Sequence, residues 1–281
     1  MTGHKTMSNK FYLVHNQYNK EKSPEHYAYA ENNLSLVDIV EDCDYILIIG
    51  GDGSLLDTIQ KYKKYKKPFL GIHTGTIGYY MHNFSKIEDI STLNTLKFEI
   101  AEFPMLSFIA KNEQGDFFQG EAFADVWVER TVPQSLKYNI CINDINDQRS
   151  YCNINKNTII GDGILFSTPA GSTGYTKNLG GNIIPFDVPV FQVVPMASAI
   201  DKKNIPSFPL GLENNSAEVS FQHVDFRKNT LIYDGISAIN PKDSKAFIPK
   251  ELIVKKSDNV IKIAFISISD FKHKAIEWIL D

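Results

Sequence analysis

The chain has 281 residues, 43% hydrophobic, 22% charged and 12% aromatic, which excludes disorder, collagen-like repeats and coiled coil and suits two ordinary domains or one large one. A net charge of −4, with only Arg130, Arg149 and Arg227 among the 29 basic residues, opposes a nucleic-acid partner, because a polyphosphate backbone draws on a positive field and on arginine forks. The start lacks the apolar core of a signal peptide and no run reaches the ~18 apolar residues of a membrane span. Cys43, Cys141 and Cys152 form no CxxC pair and suit reduced, mostly buried thiols, so a cytoplasmic protein without membrane contact is expected.

Phe11–His15 reads as a strand, followed by a polar stretch from Asn16 to Asn33 and a short amphipathic piece from Leu34 to Val40. Tyr45–Ile49 is a continuous apolar run bounded by glycines, the pattern of a strand buried on both faces of a parallel sheet. Leu55, Leu56, Ile59 and Tyr62 then recur at helical spacing, and Pro68–Ile72 begins another strand, which completes a βαβ unit. The lysine-rich run Lys61–Lys67 falls at that helix's C-terminus, where cations complement the macrodipole, and reads as a solvated helix end.

From about residue 100 the pattern changes to short strands: Met105–Ala110, Ala122–Val128, Tyr138–Asn143, Ile160–Ser167, Ala217–His223, Leu231–Tyr233, Leu252–Lys255 and Val260–Ile268. Hairpin-like turns at Asn112–Gly115 and Lys256–Asn259 separate some of them, and Asp270–Leu280 reads as a terminal helix. The expected fold is an α/β N-terminal domain with a Rossmann-like parallel sheet over 1–100, a β-rich C-terminal domain over 101–265, and a C-terminal helix, 266–281, packing back on the first domain.

Three glycine-rich blocks carry the candidate chemistry. Gly50-Gly51-Asp52-Gly53-Ser54 lies between a buried strand and a helix, where glycines let a ligand approach the backbone and free N–H groups favour phosphate. A carboxylate in such a turn repels phosphate itself, so Asp52 suits accepting a hydroxyl proton or holding Mg²⁺, with a plain helix cap as the alternative. Gly71–Gly78, followed by Tyr79 and Tyr80, ends the next strand; in a doubly wound sheet two such loops face one crevice. His73 within it has no identifiable orienting carboxylate and reads as structural. Gly161–Tyr175, followed by Leu179-Gly-Gly181, combines glycines, hydroxyls and a tyrosine and suits a loop that binds and covers a heteroaromatic ring.

These blocks, with Tyr233-Asp-Gly235, resemble in order and approximate spacing the NAD kinases, particularly the short bacterial type. The resemblance implies phosphorylation of the 2′-hydroxyl of the adenosine ribose of NAD by ATP or polyphosphate, giving NADP, with Mg²⁺ accompanying the donor. It implies Asp52 as general base and Gly50, Gly51 and Gly53 at the phosphates. Thr173, Gly174 and Tyr175 match positions around the adenine, and Tyr80 an aromatic near the dinucleotide. Asp162 and Ala197 match positions near the nicotinamide, supplied in the family by a neighbouring subunit; Asn178 and Asp234 also fall among the substrate-binding positions. The family's site lies between its two domains in a homotetramer.

One departure stands out. Where the family has an Asn-Glu pair contacting the adenosine, this chain reads Ala124-Asp125, with Glu121 nearby as a possible substitute. The loss removes a hydrogen bond worth about 0.5–1.5 kcal/mol and withdraws the acid by one methylene. Pro185-Phe186 also replaces a common His-Pro. The alternatives are a lipid kinase of the same superfamily, which the polar ring-binding block opposes, and a non-catalytic dinucleotide-binding protein, which the retained Asp52 opposes.

Overall fold

The structure is a computed structural model that describes residues 8–75, 78–153, 158–200 and 203–280, the side chains of 275–280 excepted. The chain divides into two units, Met1–Phe103 with Ile261–Asp281, and Pro104–Val260.

In the first unit the strands Phe11–Leu13, Tyr45–Gly50 and Phe69–His73 and the end of Glu251–Phe265 lie side by side in that order, all parallel. Tyr45–Gly50 is buried from Ile46 onward, as a strand covered on both faces must be. The helix Asp52–Tyr62 turns Leu55, Thr58 and Ile59 inward, and past its end Lys67 Nζ donates to the Cys43 carbonyl at 2.7 Å.

Two helices, Gln17–Lys22 and Pro24–Asn33, occupy the stretch read only as polar. Asn16 Oδ1 accepts from the Asn19 N–H at 3.2 Å, and Pro24 supplies the favoured first helical residue. The amphipathic piece from Leu34 to Val40 is not a helix. Leu36 bridges Phe11 in parallel, and only Val40–Asp42 forms a 3-10 turn. The terminal helix spans Ile268–Leu280.

The second unit is antiparallel. One sheet orders Phe208–Gly211, Val190–Met196, Gly163–Ser167, Asp125–Arg130, Asn229–Tyr233 and Ile236–Ser237. Another pairs Asn215–Gln222 with Leu136–Asp144, and the latter with Arg149–Cys152 and Ile159–Gly161. Inward residues of both, among them Val126, Phe166, Tyr138 and Val219, form one core.

Three expectations need correction here. Ile160–Ser167 is two strands, Ile159–Gly161 and Gly163–Ser167, which pair in different sheets and break at Asp162. The expected turn at Lys256–Asn259 lies inside one long strand, Glu251–Phe265, where Glu121 accepts from Ser257 Oγ and from Asn259 Nδ2, the latter at 2.8 Å. Cys141 and Cys152 are not thiols. They face each other across neighbouring strands and are joined by a disulfide, which leaves Cys43 as the free thiol, its pKa raised by burial.

Candidate functional site

The strand Tyr45–Gly50 delivers its last residue into a tight place. A Cβ on Gly50 would lie 2.7 Å from Asn19 Nδ2 and 2.8 Å from Ser54 Oγ, which are hydrogen-bonded to each other at 2.8 Å. Gly51 and Gly53 differ, with nothing within 4 Å of a Cβ at either, so space stays open over the first turn of the helix, where N–H groups lack intrahelical partners. Asp52 does not cap that helix. Its carboxylate accepts from the backbone N–H groups of Tyr79, at 2.8 Å, and Tyr80, at 3.0 Å, and so ties the turn to the loop that follows Phe69–His73.

That loop is packed against aromatic rings. Tyr79 and Tyr80 are buried in edge and tilted contacts with Phe271, and Tyr80 also meets Phe103 edge-on. Burial, and then the nearby Asp52 charge, push the Tyr79 hydroxyl up to about 12, so it stays protonated. Lys274 Nζ donates to the carbonyls of Gly78 and Met81; burial lowers its pKa and the Asp52 charge raises it. His82 is a neutral ring, because Nε2 accepts from the Ile266 N–H at 3.1 Å while Nδ1 meets the Gly71 carbonyl at 3.0 Å, and burial lowers its pKa. Both ring nitrogens of His73 are buried without a partner among the described residues, which is no arrangement for a base.

The second unit holds the other predicted residues. Asp234 and Gly235 form the two-residue turn between Asn229–Tyr233 and Ile236–Ser237, both with positive φ (45° and 78°), as a primed hairpin turn demands. The Asp234 carboxylate accepts from three buried N–H groups: Phe123 at 2.8 Å, Ala124 at 2.7 Å and Asp125 at 3.2 Å. The Ala124 carbonyl accepts from the Thr168 N–H at 2.9 Å, and Gly171 is pressed so close to it that a side chain there would collide. Asp125 is 6% exposed. Burial, and then the Asp234 charge, push its carboxyl up to about 8.

Gly171 lies in the 3-10 turn Ala170–Thr173, which is followed by the single helical turn Tyr175–Asn178. Thr173 is half-buried, Gly174 and Asn178 are exposed, and the Tyr175 ring lies 5.4 Å from that of Trp127. Asp162 forms a two-pronged pair with Arg130, Oδ1 to Nε at 2.7 Å and Oδ2 to Nη2 at 3.3 Å. Both line a cavity of about 580 Å³ together with Glu129, Tyr175 and Met196. Ala197, exposed and at a φ of 46°, follows Met196, whose carbonyl accepts from the Asp162 N–H at 2.8 Å.

Gly50, Gly51, Asp52, Gly53 and Tyr80 are thus gathered in the first unit. In the second, Ala124, Asp125 and Asp234 form one hydrogen-bonded group, and Asp162 and Tyr175 share a cavity. Sequence reasoning missed Arg130, Thr168 and Lys274. Thr168 was within the third block, whereas Lys274 sits in no motif. Among the described residues no group of three His, Cys, Asp or Glu side chains could hold a metal ion, and no helix is long and apolar enough to cross a membrane.

The chain matches the ATP-NAD kinase N-terminal domain family over residues 2–96 and the ATP-NAD kinase C-terminal domain family over residues 148–247. It is 28% identical to the NAD kinase of Rickettsia typhi over 270 residues, 92% of this chain and 98% of the relative. It is 30% identical to the NAD kinase of Rickettsia akari over 197 residues, 68% of this chain and 69% of that one. Among solved structures, an NAD kinase from Archaeoglobus fulgidus in complex with ATP shares the fold at a TM-score of 0.66 and 21% identity, over 95% of this chain and 98% of the other.

Proposed function

The chain belongs to the NAD kinase family, and from that premise we propose that it phosphorylates the 2′-hydroxyl of the adenosine ribose of NAD with ATP, giving NADP. The observation that carries the catalytic assignment is the setting of Asp52: a carboxylate beside two glycines with open space above them. A carboxylate offers about four acceptor directions, and the Tyr79 and Tyr80 amides take two. The remaining lone pairs serve to receive the hydroxyl proton as the phosphoryl group transfers.

Gly50, Gly51 and Gly53 bring backbone N–H groups to the polyphosphate, and a Cβ at Gly51 or Gly53 would meet nothing within 4 Å, so neither position obstructs its approach. Asp52 is the carboxylate that would stand beside a Mg²⁺ brought in with the donor, and such an ion would supply neutralisation of phosphate charge. In the second unit Thr173, Gly174 and Tyr175 receive the adenine, Asp125 the ribose, and Asp162 and Ala197 the nicotinamide end; Asn178 and, in the first unit, Tyr80 border the dinucleotide. Asp234 acts at one remove, by holding the amides of Phe123, Ala124 and Asp125.

A cytoplasmic homotetramer completes the reading: the Cys141–Cys152 disulfide removes the thiol argument for the cytoplasm, which rests instead on ATP and NAD as substrates, and Asp162 and Ala197 match positions that in the family serve a neighbouring chain. The lipid-kinase and non-catalytic alternatives are not favoured, since both NAD kinase domain families match. The deciding experiment measures NADP formed from NAD, ATP and Mg²⁺, with polyphosphate in place of ATP and diacylglycerol in place of NAD as separate arms. NADP formation is expected. Phosphatidate without NADP, or NAD binding without turnover, would overturn the proposal.

A further inference from the structure

One cation outside every sequence motif reaches the loop that Asp52 holds. The helix Ile268–Leu280 carries Lys274, whose ammonium donates to the Gly78 carbonyl and, at 3.2 Å, to the Met81 carbonyl. Asp52 takes the N–H groups of the two residues between, Tyr79 at 2.8 Å and Tyr80 at 3.0 Å. The Gly78 carbonyl and the Tyr79 N–H belong to one peptide unit, and in a trans peptide these groups point in opposite directions. A single rigid plane is therefore gripped at one end by an ammonium and at the other by the carboxylate.

Such a grip does two things. It fixes the rotation of the plane, and with it the direction from which the Tyr79 N–H meets the carboxylate. The cation also polarises the carbonyl, which makes the N–H at the other end of the same amide a stronger donor. On the Lys274 side the plane borders a cavity of about 270 Å³ lined by Tyr79, Met81, Phe265, Phe271 and Lys274 itself, while Gly78 packs closely against His73 and Met81.

We propose that Lys274 is a positioning residue for Asp52: by fixing the Gly78–Tyr79 peptide plane it orients the carboxylate that receives the ribose hydroxyl proton. The inference rests on the reading of Asp52 as the base. It gives the terminal helix a part in the reaction without contact with either substrate.

The test is a double-mutant cycle on the full-length protein: Lys274→Met and Lys274→Arg, each in wild-type and Asp52→Asn backgrounds, assayed with saturating NAD, ATP and Mg²⁺. In the wild-type background Lys274→Met is expected to lower kcat about 10- to 100-fold while KM for NAD and for ATP moves less than about threefold, and Lys274→Arg to recover most of the rate. In the Asp52→Asn background the same change should lower the residual rate by less than about threefold, because the group it positions has gone. An unchanged kcat, an effect confined to KM, or equal losses in both backgrounds would overturn the proposal. Should Lys274→Met not fold, as judged by its thermal transition, Lys274→Gln keeps a donor without the charge and enters the same cycle. A wild-type protein that makes no NADP would instead defeat the NAD kinase reading.

Discussion

Asp52 in the first unit and Asp234 in the second perform the same local task and end in different roles. Each carboxylate gathers backbone N–H groups from a distant segment, two for Asp52 and three for Asp234, and so fixes a chain crossing that secondary structure alone would not hold. The difference lies on the far side. Asp234 is 3% exposed, whereas Asp52 stands between Gly51 and Gly53, over which space is open. A carboxylate enclosed by its amides is architecture; one that keeps lone pairs toward open space can also take a proton.

The first way to break this comparison is Asp52→Asn. An amide retains one acceptor for the tyrosine N–H groups but loses the base, so kcat should fall by about 10²–10⁴, with a stability loss near 1 kcal/mol from the loosened loop. NADP formation and calorimetry on the same preparation read both. Wild-type turnover in this variant would reduce Asp52 to a second Asp234. The converse change, Asp234→Ala, strips three buried N–H groups of their acceptor. It should cost about 3–5 kcal/mol in chemical denaturation, and near-native stability would show that the N–H groups find other partners.

The asymmetry between the two aspartates was only half visible in the sequence. Tyr45–Ile49 and Pro68–Ile72 are continuous apolar runs ending in glycine, so the parallel strands and the placing of Asp52 at a strand-to-helix turn follow from local pattern. The partners of Asp52 lie 27 and 28 residues further along, and no periodicity announces a carboxylate–amide pairing at that distance. Lys274 is further still from the loop it touches, in a helix whose sequence signals only amphipathicity. The disulfide was hidden for a related reason: with Arg149–Cys152 unread as a strand, nothing placed Cys152 opposite Cys141. Asp234-Gly235 was legible as a turn, but its carboxylate's grip on residues more than a hundred positions earlier was not.

The two units should also diverge with pH. His82 has a folded pKa lowered by burial, so its contribution is present above the unfolded value of ~6.5 and is lost as pH falls through the folded value. Asp125 runs the other way. Its pKa is raised to about 8 against an unfolded value near ~3.9, so its contribution is full below the unfolded value and declines as pH rises toward 8. The first unit should loosen toward acid and the second toward base. Asp125→Asn is expected to flatten the basic slope by more than about 1.4 kcal/mol, the equivalent of one pKa unit, in denaturation curves between pH 5 and 8. An unchanged slope would mean that Asp125 ionises in the folded protein with little penalty.

The smallest expected effect concerns Ala124-Asp125, where the resembled family carries Asn-Glu. Read from sequence, restoring the pair recovers one hydrogen bond, up to about tenfold in kcat/KM for NAD. The structure adds a cost. The N–H of Ala124 is held by Asp234, its carbonyl is held by Thr168 with Gly171 pressed against it, and both side chains are buried, so added atoms must displace fixed neighbours. Overpacking of that kind costs about 1–3 kcal/mol. Yet a longer acid at position 125 carries its carboxyl further toward a ligand. The double variant Ala124→Asn with Asp125→Glu is therefore expected to be less stable by about that amount and, where folded, to gain in kcat/KM by no more than about tenfold. Kinetics and denaturation on the two single variants and the double separate the terms. A folded double variant with lower kcat/KM would mean that the surrounding residues have closed around Ala124 and that Asp125 holds the ribose in its present form.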